Sequence, residues 1–288
     1  MNYFEVLGLE KEPFSTSPDP DFFYLSKGHE RALTNSLIEL QLRRGLTVIL
    51  GDVGMGKTTL SRKLIQELKQ RENFHFHMIF DPSFETEHLL LDYLVRNFNC
   101  APTKPKEEVT TMELKEALES FLFQMGVNEN KIIVLIIDEA QKLNQTSLEV
   151  LRVLLNYETN QFKLLQLILL GQMEFYPAIM KIPNLLDRIS FKYTLNPFAY
   201  DETREMIRFR IRQAGYSGKD GLFSDEAVRK IYQFSKGYPR RIIMLCHQVL
   251  KKLILEGKAI ADEKIVNKII QEERTEWQMK EPLPKKGY

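Results

Sequence analysis

The first two thirds of the chain alternate between short apolar runs and segments in which leucines recur at helical spacing. The apolar runs predict strands at residues 46–51, 74–80, 132–137, 163–171 and 190–195. Between them, sets such as Leu60, Leu64 and Leu68 lie four residues apart and predict amphipathic helices. The run KIIVLIIDEA has six apolar residues between its lysine and its closing acids, as expected for a strand buried on both faces. This pattern predicts an α/β domain with a five-stranded parallel sheet and helices on both faces.

The apolar runs stop after Asn196 and Pro197, and only helical periodicity continues. Helices are predicted over residues 201–214, 224–235, 239–256 and 262–276. Prolines near the start of the chain exclude a helix from the first 28 residues. We therefore expect an N-terminal arm at 1–28, an α/β nucleotide-binding domain at 29–199, a small all-helical domain at 200–276 and a tail at 277–288.

Composition indicates an ordinary globular protein. Of the 288 residues, 43% are hydrophobic and 27% are charged, which excludes disordered and collagen-like classes. The net charge is +1, but residues 1–199 carry 21 Lys and Arg against 26 Asp and Glu, and residues 200–288 carry 19 against 13. The C-terminal third is therefore basic. No apolar run approaches the roughly 20 residues that span a bilayer, so we expect a cytoplasmic protein without a membrane span.

A phosphate-binding loop follows the first predicted strand. Residues 51–58 read GDVGMGKT, which is the full G-x-x-x-x-G-K-[ST] pattern between a strand and a helix. Glycines let backbone N–H groups turn inward around a phosphate, and the following helix adds the positive end of its dipole. Lys57 is predicted to reach the β- and γ-phosphates, and Thr58 to offer its hydroxyl to Mg²⁺. The residues predicted to bind the nucleotide are Gly51, Asp52, Val53, Gly54, Met55, Gly56, Lys57, Thr58 and Thr59.

Two acids close the predicted strand at 132–137. Asp138 and Glu139 would be costly to bury unpaired, but at the carboxyl end of a parallel strand they face the ligand crevice. We expect Asp138 to hold Mg²⁺ together with Thr58, and Glu139 to orient and deprotonate the attacking water. The alternative is an acidic strand end that caps the next helix. No N-K-x-D sequence for reading guanine occurs, which favours ATP over GTP.

Three further residues acquire roles through a resemblance. The order of the elements, from phosphate loop through acidic strand to a helical lid, resembles that of the AAA+ ATPases. The resemblance implies that Gln172 is the sensor-1 residue, that Arg188 is an arginine finger acting on a neighbouring subunit, and that Arg240 is the sensor-2 contact. From the residues alone, Gln172 can also cap a strand and Arg188 can serve a local ion pair. Arg241 can take the place of Arg240.

A narrower resemblance rests on several segments together. PFSTSPDPDFFYLSKGHERAL, GDVGMGKTTL, LIIDEAQKL, LRVLLNYET, LILLGQMEF and KGYPRRI resemble the ExeA-type secretion ATPases (general secretion pathway protein A) over about residues 1–270. This resemblance implies a homo-oligomer, either ring or filament, and a protein partner in a bacterial secretion or pilus apparatus. It also implies a cytoplasmic location. The alternative is a peripheral location at the inner membrane, held there by a partner. The aromatics of the arm suit either an adenine cover or packing.

Two other clusters each have two interpretations. His75 and His77 alternate on one strand, but no Cys or acid accompanies them, so a packed or solvent-facing pair is predicted rather than a metal site. Arg204, Arg208 and Arg212 recur every four residues on one helix face. This row is either a solvated face paired with neighbouring acids or a contact to double-stranded DNA. The second interpretation supports an alternative function, a DNA-associated AAA+ ATPase that recruits or regulates a transposase.

Overall fold

The computed structural model describes residues 4–17, 19–218 and 221–280, so the predictions made for residues 1–3, for Pro18 and for the tail from 281 lie outside the described residues. Within them, five strands form one parallel sheet in the order β2-β3-β4-β1-β5. The strands are β1 (Leu46–Gly51), β2 (Phe74–Ile79), β3 (Ile132–Ile137), β4 (Leu165–Gly171) and β5 (Ile189–Leu195). The predicted five-stranded parallel sheet is confirmed.

Helices connect the strands and then continue alone. The first group is α1 (Lys27–Gln41), α2 (Lys57–Lys69), α3 (Glu87–Asn97), α4 (Thr111–Phe123), α5 (Gln145–Leu154), α6 (Phe175–Met180) and α7 (Pro183–Leu186). The second group is α8 (Tyr200–Gln213), α9 (Asp225–Ser235), α10 (Pro239–Leu255) and α11 (Glu263–Lys280). The six residues of α6 and the four of α7 are too few to show a helical periodicity in the sequence.

Parallel strands bring the chemistry of the sequence to one edge of the sheet. Every residue of β1, β3 and β4 is buried, because helices cover both faces of the sheet. Apart from Thr47 and Gln166, which are buried near the starts of β1 and β4, the polar residues of these segments follow the strand ends. Since all five strands run the same way, the segments that follow β1, β3 and β4 meet at the carboxyl edge.

The described chain divides into two compact units. The α/β unit comprises Lys27–Val53 and Lys57–Asn196, and the helical unit comprises Gly54–Gly56, the described residues up to Ser26 and those from Pro197 onward. The arm does not stand apart, because its Leu9, Phe14 and Phe22 are buried in the core of the helical unit. An arm this short has too few apolar residues to bury them on itself.

Arg210 holds the arm to the helical unit. Its guanidinium donates hydrogen bonds to the carbonyl oxygens of Pro13 at 2.6 Å, Ser15 at 2.9 Å and Phe22 at 2.9 Å, and the residue is only 6% exposed. Burial lowers the pKa of Arg210 to about 10, so it stays charged at neutral pH. The sequence places Arg210 beside the exposed arginines of the same helix, and only the packing of the arm shows that it lies inside.

Candidate nucleotide-binding site

The loop between β1 and α2 needs glycine for its backbone. Gly54 and Gly56 have φ angles of +80° and +88°, in the left-handed region that favours glycine. At Gly54 a Cβ atom would also lie 2.7 Å from the Cβ of Arg240. Both positions therefore exclude larger residues, and the loop keeps the open backbone that a phosphate requires.

Lys57, the first residue of α2, folds back over this loop. Its Nζ donates to the carbonyl oxygens of Gly51 at 2.7 Å and Asp52 at 3.1 Å, and the side chain is 6% exposed. Burial lowers the pKa of the ammonium, while the negative charges of Glu139, Asp138 and Asp52 oppose that shift. The cation is thus confined to the mouth of the loop, with two neutral acceptors that an anionic ligand can replace.

Thr58 and Asp138 meet across the carboxyl edge of the sheet. The Thr58 hydroxyl donates to Oδ2 of Asp138 at 2.6 Å, and the backbone N–H of Glu139 donates to Oδ1 at 2.9 Å. Burial raises the pKa of the Asp138 carboxyl, which is only 2% exposed, and these two hydrogen bonds act in the opposite direction. A buried carboxylate beside a hydroxyl offers the oxygen ligands that Mg²⁺ prefers, so the residues present fit that ion.

Glu139 follows in a strained turn. Its φ of 52° lies in the left-handed region, which costs an L-residue roughly 1–2 kcal/mol. The left-handed backbone lies between two adjacent acids with different environments, since Asp138 is buried and Glu139 is partly exposed. Oε2 of Glu139 accepts a hydrogen bond from Nε2 of Gln141 at 2.5 Å.

The structure brings Gln172 to the same edge. Gln172 directly follows β4, which is the neighbour of β3, and its backbone N–H donates to Oε1 of Gln141 at 3.0 Å. Gln141 therefore joins the residue after β4 to the carboxylate after β3. Gln141 is not among the site residues predicted from the sequence, although its position two residues after Glu139 in the segment LIIDEAQKL is a signal for a residue that contacts Glu139.

Arg188 lies at the opposite edge of the sheet. The next residue, Ile189, pairs with Leu46 at the start of β1, whereas the phosphate loop begins at Gly51, where β1 ends. At about 3.3 Å per residue, β1 places about 17 Å between these two ends. The guanidinium of Arg188 donates to Oδ1 of Asn156 and to the carbonyl oxygen of Asn184. Its local partners are therefore neutral groups and not a carboxylate.

Arg240 belongs to the helical unit, at the start of α10. Its backbone N–H donates to the carbonyl oxygen of Gly54 at 3.2 Å, and its side chain is exposed. The guanidinium of the adjacent Arg241 lies 5.0 Å from the centre of the Tyr238 ring. Arg241 thus has a local contact within the unit, and Arg240 stays the predicted sensor-2 residue.

His75 and His77 on β2 both have local partners in the structure. Nε2 of His77 lies 2.9 Å from the Tyr93 hydroxyl, His75 contacts the rings of Phe98 and Phe121, and burial lowers the pKa of both histidines. In the part of the chain that the structure describes, no group of three or more potential metal ligands occurs.

The arginine row on α8 is paired with acids of the same helix. Arg204 lies 3.3 Å from Asp201, and Arg208 and Arg212 lie 3.5 and 3.9 Å from Glu205. Glu205 therefore serves two exposed arginines at once. Exposed ion pairs of this kind contribute only about 0–1 kcal/mol each, so they would not prevent these arginines from taking other partners.

The chain is similar to known proteins in sequence and in fold. Residues 41–179 match the family model of the AAA domain. General secretion pathway protein A of Aeromonas hydrophila is 33% identical over 257 residues, which are 88% of this chain and 45% of that protein. The chain thus spans about half the length of this relative. None of the helices among the described residues is long and apolar enough to cross a membrane.

Solved structures with the same fold have much lower identity. The ORC2 protein of Aeropyrum pernix superposes with a TM-score of 0.63 at 18% identity, over 91% of this chain and 72% of that one. The ORC1 protein of Aeropyrum pernix, solved in complex with DNA, superposes with a TM-score of 0.62 at 15% identity, over 88% and 68%. At these identities the likeness establishes the fold alone, a parallel sheet covered by helices and followed by a helical unit.

Proposed function

We propose that this chain, which belongs to the AAA+ ATPases of the ExeA type, binds ATP with Mg²⁺ and hydrolyses it. The observation that carries the proposal is the hydrogen bond of 2.6 Å between the Thr58 hydroxyl and the Asp138 carboxylate, beside the loop that Lys57 closes. These two groups are 80 residues apart in the sequence, and their meeting beside the loop supports their assignment as the pair that would hold the metal.

Each residue of this site has one task in the proposal. Lys57 exchanges the carbonyls of Gly51 and Asp52 for phosphate oxygens, because hydrogen bonds to charged acceptors are roughly twice as strong as neutral ones. Thr58 and Asp138 hold the metal, which when bound supplies positive charge to the phosphate oxygens. Glu139 accepts the proton of the attacking water, and Gln172 and Arg240 keep the sensor-1 and sensor-2 roles that the family resemblance implies.

Lys57→Ala tests the phosphate loop. We expect nucleotide affinity to fall by roughly 10- to 100-fold, since hydrogen bonds to charged groups are worth about 1.5–3 kcal/mol, and hydrolysis to fall with it. Binding is measured with a fluorescent ATP analogue, and folding by circular dichroism. Lys63→Ala is the control, because Lys63 lies on the same helix and pairs with Glu67 at 3.5 Å. A Lys57→Ala protein that hydrolyses ATP at the wild-type rate would refute the assignment of the loop.

The cellular task that we propose is assembly or motor work in a bacterial secretion or pilus system. The chain would act as a homo-oligomer on a protein partner, at the cytoplasmic face of the inner membrane. What supports this is the relative named general secretion pathway protein A, matched over 88% of this chain but only 45% of its own length. The test replaces the chromosomal gene by the Lys57→Ala form and measures secreted protein or assembled pili. Undiminished secretion in cells that produce the variant would contradict the proposal.

A DNA-associated ATPase that recruits a transposase is the second candidate function. The observation that favours it is the arginine row of α8 in a basic C-terminal third, where Arg208 and Arg212 have side-chain exposures of 53% and 69%. Phosphates could replace the weak ion pairs that these arginines make with Glu205.

Charge reversal decides whether this row serves DNA. We expect Arg204→Glu, Arg208→Glu and Arg212→Glu together to abolish stimulation of the ATPase by duplex DNA and to leave the basal rate intact. Each lost phosphate contact should reduce the slope of log affinity against log salt by about 1. Lys268→Glu is the control, because it reverses an exposed charge on another helix of the same unit. A wild-type chain that binds no DNA at low salt would retire this candidate and favour the secretion system.

A further inference from the structure

The side chain of Gln141 connects two strand ends that both belong to the proposed active site. Nε2 donates to Oε2 of Glu139 at 2.5 Å, and Oε1 accepts the backbone N–H of Gln172 at 3.0 Å. A carboxylate only accepts hydrogen bonds and a backbone N–H only donates, so the amide can satisfy both partners in one orientation alone. The two partners therefore fix the orientation of the Gln141 amide, and a flipped amide would lose both hydrogen bonds.

A tight turn directs Gln141 toward these partners. Residues 140–142 form a 3₁₀ turn after β3, in which the N–H of Lys142 donates to the carbonyl of Glu139 at 2.9 Å. Ala140 is fully buried and anchors the turn against the core. The adjacent Lys142 lies 3.3 Å from Asp81, beyond the end of β2. The turn is therefore held on the side of β2 by the ion pair of Lys142 with Asp81, and on the side of β4 by the hydrogen bond between Gln141 and Gln172.

We propose that Gln141 is a positioning residue for Glu139 that couples the carboxylate to the end of β4. Gln141 occupies one carboxylate oxygen, Oε2, and leaves Oε1 for water. A shift of the backbone at Gln172 would pull on the same amide and reorient the carboxylate. A change at the residue assigned to sense the nucleotide is thereby transmitted to the residue assigned to deprotonate the water. This role rests on the proposed ATP hydrolysis.

Two substitutions separate the two hydrogen bonds. Gln141→Ala removes both, whereas Gln141→Glu keeps an acceptor for the N–H of Gln172 and places an anion against Glu139. We expect either change to lower kcat by roughly 10- to 100-fold while KM and nucleotide affinity change little, because the lost group orients a reacting residue and binds no phosphate. Gln145→Ala, an exposed glutamine at the start of α5, is the control and should keep the wild-type kcat.

A double-mutant cycle distinguishes positioning from general damage. In a Glu139→Gln background, Gln141→Ala should cause no further loss of single-turnover rate, because the group it positions is already inactive. Independently of ATP, hydrogen exchange at the backbone amide of Gln172 should accelerate in Gln141→Ala and stay slow in Gln141→Glu.

Each other outcome overturns the proposal in a recognisable way. A normal kcat in Gln141→Ala, an equal loss of rate in both backgrounds, or unchanged exchange at Gln172 would remove the role of Gln141 and leave the proposed ATPase intact. A wild-type chain that binds ATP and never hydrolyses it would remove the proposed function, and this role with it.

Discussion

Arg188→Ala is expected to bind ATP with near-normal affinity and to hydrolyse it about 10³- to 10⁵-fold more slowly, as for an arginine finger supplied by a neighbouring subunit. The reason is the position of Arg188 at the amino edge of the sheet, about one strand length, roughly 17 Å, from its own phosphate loop. From there it can stabilise transition-state charge only on a nucleotide held by another copy of the chain. Its Nε–H is buried without an acceptor among the residues that the structure describes, so its present contacts leave a donor unused.

Mixing two inactive variants tests this arrangement. Lys57→Ala has a defective phosphate loop but still offers Arg188, and Arg188→Ala has an intact loop. Co-assembled, the two should regain part of the ATPase rate, and the specific activity of the wild type should rise with protein concentration until assembly is complete. Arg152→Ala, which removes an arginine paired with Glu149 on α5, is the control. A mixture that stays inactive although sizing shows co-assembly would mean that Arg188 does not act across an interface.

Glu139→Gln is expected to trap ATP. The amide keeps the size of the side chain but cannot accept a proton, and loss of a general base reduces turnover by about 10²- to 10⁴-fold. Nucleotide binding should persist, because Lys57, Thr58 and Asp138 keep their contacts. The measurements are the steady-state rate and the amount of ATP retained after gel filtration. Glu149→Gln, on the exposed side of α5, is the control.

The opposite result for Glu139 would also be informative. If Glu139→Gln lost nucleotide binding instead of turnover, the residue would be part of the metal or loop structure. The strained backbone at Glu139 would then serve the packing of the turn, and Asp138 and Glu139 would share one role.

The family resemblance predicted from short motifs is confirmed by the relative matched over 88% of the chain, and the assignment of the individual site residues stays a prediction. The motifs were sufficient for the family because a phosphate loop and an acidic strand end require particular residue types at fixed spacing. The partner of the chain could not be predicted in this way, because a partner is recognised by a surface that no short motif describes.

Local physics explains which elements the sequence determined by itself. Short continuous apolar runs bounded by turn residues favour buried strands, and the ends of the predicted strands agree with the observed ones to within two residues. The largest difference is at β4, predicted to begin at residue 163 and observed to begin at Leu165. The left-handed backbone at Glu139, just after β3, is not indicated by the apolar pattern.

Only the tertiary structure decided which of these elements lie side by side and which polar groups meet. The sheet order β2-β3-β4-β1-β5 brings the end of β4 beside the end of β3, and that adjacency, not any motif, makes Gln141 a link between Gln172 and Glu139. The same is true of Arg210, whose guanidinium binds three carbonyls of the arm although Arg208 and Arg212 on the same helix are exposed. A residue's type and spacing follow from the chain alone, but its partners depend on contacts between segments far apart in sequence, which only packing brings together.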